Sequence, residues 1–90
     1  MNKNKEKLLN DFLIKILTDE KYYKKIKKNI SQFDKNNNYI SKYSSLKEIQ
    51  DKTKIHHSNI SACLHGRRKT AGGFIWKYEF QKILEDINGE

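Results

Sequence analysis

Two short helical patterns joined by a link of three or four residues constrain the fold of this 90-residue chain more than any other feature. The first begins with a capping box at Ser45–Glu48, in which the Ser hydroxyl accepts from the third helical amide and the Glu carboxylate reaches back to the cap amide. The second, "HHSNISACLHG", stops at Gly66. A lone apolar residue, Ile55, lies in the link. Two short helices connected in this way predict a helix-turn-helix.

A β-hairpin is predicted upstream of these helices. The runs 30–33 and 39–43 contain Ile, Phe and Tyr and flank an Asp- and Asn-rich stretch, residues 34–38, whose residue types tolerate the left-handed backbone of tight turns. A low-complexity linker is the alternative interpretation, and the regular spacing of the aromatic residues argues against it. Downstream, a double glycine precedes a third strand, 74–78, which is able to pair with the hairpin.

Amphipathic helices are predicted on both flanks. Residues 5–17 repeat apolar side chains at three- and four-residue spacing. Thr18, followed by two acids, predicts the N-cap of a second helix over residues 19–28, although one long bent helix is the alternative. Phe80, Ile83, Leu84 and Ile87 mark a C-terminal helix.

The predicted fold class is therefore α+β, mostly α: a helix-turn-helix braced by a small antiparallel β-sheet, with flanking N- and C-terminal amphipathic helices. Residues 1–28 form an N-terminal helical segment, residues 29–78 the helix-turn-helix module and residues 79–90 the C-terminal helix, all in a single compact domain.

The charge distribution favours a polyanionic partner. The formal net charge is +8, from 19 Lys and Arg residues against 11 Asp and Glu residues. Between Lys52 and Lys77 the sequence has six cations and no acid, and such a field attracts nucleic acid. An AT-rich genome also produces many Lys, Asn and Ile codons, in which case the lysines are a solvated surface. Charge alone leaves both interpretations open.

The second helix of a helix-turn-helix enters the major groove of DNA and reads base edges near its N-terminal end. The predicted DNA-binding residues are His57, Ser58, Asn59 and Ser61 in that helix, followed by Arg67, Arg68, Lys69 and Thr70. Asn59 is the most informative, because a carboxamide makes paired hydrogen bonds to adenine N6 and N7. The cations are expected to neutralise phosphates. Phe74 and Trp76 are expected to anchor this region to the core and not to stack on bases.

No catalytic residue, metal ligand or cofactor is predicted. A single cysteine, Cys63, excludes an intramolecular disulfide, and with three His it does not complete a convincing zinc site. No apolar run approaches the ~20 residues that a membrane span needs, and the Lys-rich N-terminus is unlike a secretory signal. The protein is expected to be cytoplasmic, either associated with the nucleoid or inside a host cell.

Several pieces of the sequence occur together in one known family. They are Phe33-Asp34 with the Asn turn, Tyr43, Ser45-Leu46-Lys47-Glu48, Ile55, Ser58-Asn59-Ile60-Ser61, Gly66 and Lys69-Thr70-Ala71-Gly72-Gly73-Phe74-Ile75-Trp76. With them, residues 29–78 resemble the nuclease-associated modular DNA-binding domain of type one, also called the intron-encoded nuclease repeat motif. In phage and mobile-intron homing endonucleases, modules of this family lie downstream of GIY-YIG or HNH nuclease domains and contact the target duplex. The resemblance therefore implies that this chain binds double-stranded DNA. Lys54 replaces the family's usual Gly, and His56 its usual Ser cap.

Three functions are compatible with these observations. The first is a sequence-specific, double-stranded DNA-binding protein of helix-turn-helix type, encoded by a phage or mobile element, with a regulatory role. It is expected not to be an enzyme, because residues 1–28 contain no Gly-Ile-Tyr or His-Asn-His motif and only four acids. The second is the DNA-targeting subunit or fragment of a homing endonuclease whose nuclease part is elsewhere. The third is an inhibitor or protein-interaction module that reuses the fold.

The expected partner is double-stranded DNA. Two further partners stay open: a second copy of the chain, through the terminal helices, and a separate nuclease subunit. No membrane is expected among the partners.

Overall fold

A computed structural model describes the chain over residues 3–89, with side chains from residue 5. Its elements in chain order are α1 (Lys3–Thr18), α2 (Glu20–Lys28), β1 (Ile30–Phe33), β2 (Tyr39–Tyr43), α3 (Leu46–Thr53), α4 (His57–Leu64), β3 (Ile75–Tyr78) and α5 (Glu79–Asn88). The three strands form one antiparallel sheet in the order β2-β1-β3. This mostly helical α+β architecture confirms the predicted fold class.

The hairpin has the predicted bounds, and Asp34 organises its turn. One carboxylate oxygen, Asp34 Oδ1, accepts from the backbone amides of Asn36 at 2.8 Å and Asn38 at 2.9 Å. Asn37 takes the left-handed conformation, with φ at +69°, which Asn tolerates better than most residues. These bonds hold the pKa of the Asp34 carboxyl below its ordinary value, the amide of Asn38 contributing most. The Asn-rich stretch is therefore a structured turn.

The helix-turn-helix packs on one face of the sheet. The buried residues of this core are Ile30, Ile49, Ile60, Ala71 and Trp76. Trp76 is 2% exposed, and its indole Nε1 donates to the Ala71 carbonyl at 2.9 Å. Phe74 and Tyr78 pack against the same cluster. The prediction that Phe74 and Trp76 anchor the domain is confirmed.

The flanking helices cover the opposite face. Phe33 lies there, with the ammonium groups of Lys77 and Lys82 within 6 Å of its ring. On α5, the ring of Phe80 lies 5.5 Å from that of Phe12 in α1 and 5.9 Å from that of Tyr23 in α2. The sheet is thus enclosed between the helix-turn-helix and a cluster of the three flanking helices.

Three local predictions need correction. Thr18 is not the cap of α2, because it is still the last residue of α1 and its hydroxyl donates to the Ile14 carbonyl at 2.7 Å. Asp19 caps α2 instead, accepting from the Tyr22 amide at 3.0 Å; a carboxylate is well suited to the positive end of a helix. Asp19 has extended backbone angles, so α1 and α2 are two helices and not one bent helix.

The capping box of α3 is also modified. Ser45 Oγ accepts from the Glu48 amide at 3.1 Å as predicted, but Glu48 Oε1 reaches the amide of Ser44, at 2.7 Å, and not that of Ser45. The third strand begins one residue later than predicted, because Phe74 forms a separate bridge with Ala71.

None of the helices between residues 3 and 89 is both long enough and apolar enough to cross a membrane.

Candidate nucleic-acid interface

The link between α3 and α4 positions the second helix. Lys54 ends α3 in the left-handed conformation, with φ at +64°, and its amide donates to the Gln50 carbonyl at 2.9 Å. The next residue, Ile55, packs against the core. A residue that must adopt positive φ is usually glycine, which explains the glycine that the resembled family tends to have here.

The start of α4 is held by bonds from two directions. His56 is its N-cap: the imidazole Nδ1 accepts from the Ser58 amide at 3.2 Å and lies 2.6 Å from the Ser58 hydroxyl. The His57 amide donates to the Gln50 side-chain carbonyl at 2.7 Å, which joins α4 to α3. The rings of His56 and His57 stack with their centroids 4.6 Å apart. His56 therefore replaces the usual Ser cap through a ring nitrogen.

The eight residues predicted to bind DNA are not equally accessible. His57, Ser58, Arg67, Arg68 and Lys69 are exposed, and Asn59, Ser61 and Thr70 are half-buried. The inward side of α4 is Ile60, which is fully buried, with Cys63 and Leu64 against the core. None of the eight side chains is in the core, so the surface that they form is open to a ligand.

The structure joins three of these residues directly. Arg68 Nη1 donates to Asn59 Oδ1 at 3.1 Å, and Arg68 Nε donates to the Thr70 carbonyl at 3.1 Å. Arg68 therefore folds back over the start of α4 and orients the Asn59 carboxamide. The sequence gives no signal for this contact, since the two residues are nine apart and belong to different segments.

The other predicted residues have separate surroundings. Ser61 is engaged with His65, whose Nδ1 lies 2.8 Å from the Ser61 carbonyl oxygen. Arg67 and Lys69 make no side-chain hydrogen bond or ion pair with any residue from 5 to 89. Two unpaired cations beside a helix end are free to contact an anion.

Sequence reasoning missed Gln50, which holds the start of α4 through the His57 amide. A polar residue near the end of the first helix is a weak signal, because many exposed helix positions carry Gln. Its role depends on how α3 and α4 pack.

The segment 66–73 leaves α4 and returns to the sheet through three glycines with positive φ. They are Gly66 at +79°, Gly72 at +62° and Gly73 at +86°. Gly72 lies against Ile55: a Cβ built on it would overlap Ile55 Cδ1 and come within 2.6 Å of Ile55 Cγ1. The glycine thus permits the basic segment and the helix-turn-helix link to touch.

The remaining reactive groups are the Cys63 thiol and the side chains able to bind a metal ion. Burial raises the pKa of the Cys63 thiol, an effect that the charge of Arg68 partly offsets, so this thiol is not an activated nucleophile. Among the residues that the structure describes, no group of three or more His, Cys, Asp or Glu is arranged to hold a metal ion.

Comparison with known proteins identifies the central segment. Residues 34–77 match the family described as DNA endonuclease I-HmuI-like, NUMOD-like domain. The chain is 43% identical over 63 residues to a protein of Acanthamoeba polyphaga mimivirus named an uncharacterized HNH endonuclease, with 70% of this chain and 19% of the relative covered. It is 37% identical over 67 residues to the "Probable mobile endonuclease B" of Enterobacteria phage T4, with 69% of this chain and 25% of the relative covered.

The chain thus spans a quarter or less of the length of these two relatives. No solved structure matches the chain significantly. The matched segment contains the hairpin turn, the helix-turn-helix, the basic segment and most of β3, and apart from Phe33 it includes all the pieces that carry the family resemblance. Residues 34–77 of this chain are thus an I-HmuI-like, NUMOD-like domain.

Proposed function

We propose that this chain is the DNA-targeting part of an HNH-type homing endonuclease system, and that the part that cuts DNA lies elsewhere. A NUMOD-like domain implies DNA binding, and both relatives are named as endonucleases. In this proposal α4 enters the major groove of the duplex, while the basic segment behind it contacts the sugar-phosphate backbone.

The observation that carries this proposal is the joint surface of α4 and the segment Arg67–Thr70. Asn59 presents a carboxamide beside the exposed groups of His57 and Ser58, and Arg68 holds that carboxamide by a 3.1 Å hydrogen bond. Arg67 and Lys69, on either side of Arg68 in the chain, have unpaired charges. A base-reading amide flanked by free cations combines the two kinds of contact that specific DNA binding requires.

A targeting role is favoured over a free-standing regulatory role. The two relatives carry endonuclease names and are several times longer than this chain. Their additional length is where we place the nuclease chemistry, and the chain itself is proposed not to cleave. No observation favours the inhibitor alternative, since the exposed residues of α4 are polar and the segment that follows it is basic.

The test of DNA binding is a gel-shift selection on random duplexes at two salt concentrations. We expect enrichment of one sequence family, because Asn59 reads a base edge, and a steep loss of affinity with salt, because bound phosphates release counterions. Absence of binding to any duplex in dilute buffer would overturn the proposal.

The test of the targeting role uses plasmid DNA that carries the selected sequence. With Mg²⁺ the purified chain is expected to leave the plasmid supercoiled. The same chain fused to an HNH nuclease domain is expected to cut near the selected site, and the fusion with Asn59→Ala to cut with less site preference. Cleavage by the unfused chain would instead assign catalysis to this chain.

A further inference from the structure

A row of lysines lies on the outer face of α2, outside the segment that matches the NUMOD-like family. The row consists of Lys21, Lys24, Lys25 and Lys28, which are all exposed; we call these four residues the α2 lysine row. They recur at the three- and four-residue spacing that places side chains on one face of a helix, and they line one surface groove together with Asp19 and Tyr22. The opposite face of α2 packs inward through Tyr23 and the buried Ile26.

The row is poorly compensated within the protein. Among residues 5–89, Lys24 is paired with Glu20 at 3.1 Å, whereas Lys21, Lys25 and Lys28 have no side-chain hydrogen bond or ion pair. Like charges three and four residues apart on a helix repel each other and destabilise it. A surface that concentrates unpaired cations in this way suits a polyanion.

The row continues to the helix-turn-helix. Lys28, at the end of the row, lines a second groove together with Lys27 of α2 and with Ser44, Ser45 and Leu46, which lead into α3. The sheet register explains this proximity. The residue after α2 leads into Ile30, the first residue of β1, and Ile30 pairs with Tyr43, the last residue of β2, which leads into α3. The end of α2 and the start of α3 therefore lie at the same end of the sheet.

We infer that the α2 lysine row is a second contact surface for the phosphate backbone of duplex DNA. The inference rests on the proposed function, because it extends the same bound duplex beyond the helix-turn-helix. In a helix-turn-helix the first helix, here α3, crosses the backbone while the second reads bases. A cationic ridge beside the start of α3 is placed to meet the phosphates next to that crossing.

The dimensions of the row fit a DNA strand. The seven helical steps from Lys21 to Lys28 rise about 10 Å, and one strand carries a phosphate for every ~3.4 Å of duplex axis. The row is therefore long enough to meet more than one phosphate of the same strand. Lysine is a point charge that does not discriminate bases, so the row adds affinity and salt dependence without adding sequence preference.

The test compares two variants of the full chain that each remove two positive charges. In the row variant, Lys25→Gln is combined with Lys28→Gln. In the control variant, Lys42→Gln is combined with Lys82→Gln, two lysines that line a groove beside α5 and are paired with Glu79 and Asp86. Affinity for the selected duplex is measured by fluorescence anisotropy over a range of salt concentrations.

In the row variant, the slope of log affinity against log salt is expected to be less steep by about 2. The variant loses two phosphate contacts, and each contributes about 0.9 to the steepness. Its affinity is expected to fall about tenfold at low salt, with unchanged sequence preference. The control variant is expected to keep the wild-type slope, and Lys25→Arg with Lys28→Arg should keep it too. Circular dichroism of each variant verifies the fold.

Two negative results have different meanings. If wild-type protein binds no duplex, the proposed function fails and this inference fails with it. If wild-type protein binds a selected duplex but the row and control variants have equal slopes, the inference about α2 is overturned and the proposed function stands.

Discussion

The guanidinium of Arg68 holds the carboxamide of Asn59, with Nη1 donating to Oδ1 across 3.1 Å, while Nε of the same side chain donates to the Thr70 carbonyl. A guanidinium has only donors, so the atom of Asn59 that faces Arg68 is the amide oxygen. The NH₂ group of Asn59, with its two donors, therefore points away from Arg68. The oxygen keeps a second lone pair for a base. Arg68 thereby orients the group that is proposed to read adenine.

The exchange Arg68→Lys is expected to weaken base discrimination while preserving charge. Lysine lacks the planar fork that reaches Asn59 and Thr70 together, so the carboxamide becomes free to rotate. Asn59→Ala is expected to cost about 1–3 kcal/mol of discrimination at one base position, and Arg68→Lys a part of that. Competition binding between the selected duplex and single-base variants measures both effects.

Arg67→Lys is the matched control for this prediction. Arg67 is exposed and has no side-chain hydrogen bond with the described residues, so the exchange is expected to leave base preference and salt slope unchanged. Equal loss of preference in the Arg67 and Arg68 variants would show that the Asn59 contact has no orienting role.

Lys54→Gly is expected to stabilise the domain. Lys54 has φ at +64°, a conformation that costs a residue with a Cβ about 1 kcal/mol. Glycine removes this cost, although its larger freedom in the unfolded chain offsets part of the gain. Urea unfolding is expected to show a higher midpoint. Lys47→Gly, at an exposed position inside α3, makes the same chemical change and is expected to lower the midpoint; a fall for both would contradict the explanation.

Gly72→Ala and Gly73→Ala separate backbone strain from steric overlap. Both glycines have positive φ, but a Cβ at Gly73 meets no atom within 4 Å, whereas one at Gly72 overlaps Ile55. Gly73→Ala is expected to cost about 1 kcal/mol of unfolding free energy, and Gly72→Ala about 1–3 kcal/mol more.

The overlap itself is tested in a variant whose side chain at Ile55 is shorter. Ile55→Val removes Ile55 Cδ1, the closer of the two atoms that a Cβ on Gly72 would overlap, and keeps Cγ1. Gly72→Ala is therefore expected to cost less there than in the wild-type chain, but still more than Gly73→Ala. An unchanged difference between the two alanine variants, measured by denaturant unfolding, would refute the steric explanation.

Stability is expected to fall in acid because of Glu48. The Lys52 ammonium, followed by the amide and hydroxyl of Ser44, lowers the pKa of the Glu48 carboxyl from 4.5 to about 2. A pKa that is lower in the folded state gives stability that is complete above the unfolded value of 4.5 and is lost as the pH falls towards 2. Urea unfolding between pH 7 and pH 2 should show this loss.

Glu48→Gln removes the titrating group, so the fall in stability below pH 4.5 is expected to be shallower than in the wild-type chain. Asp19 and Asp34, whose pKa values are also lowered, remain in both proteins, so the difference between the two curves reports Glu48. Identical curves would exclude Glu48 as a contributor.

Local sequence patterns predicted most elements because their causes are local. The strand bounds of the hairpin follow from two short runs with Ile, Phe and Tyr around an Asp- and Asn-rich turn, and the start of α3 follows from Ser45, whose hydroxyl accepts from an amide three residues on. The cap of α2 was wrongly assigned to Thr18 because both Thr and Asp are good caps. Which of the two adjacent residues caps α2 depends on where α1 ends. Thr18 is still part of α1, so the cap is Asp19.

By itself, the sequence of this protein determined the helices, the strands, the buried Trp76 and the basic character of the segment after α4, since each depends on the spacing of neighbouring residues. Only the tertiary structure decided that Arg68 holds Asn59, that Gln50 holds the start of α4 and that Lys28 lies beside the start of α3. The physical reason is that these contacts join separate segments, and their distances are set by how the sheet and helices pack and not by any interval along the chain.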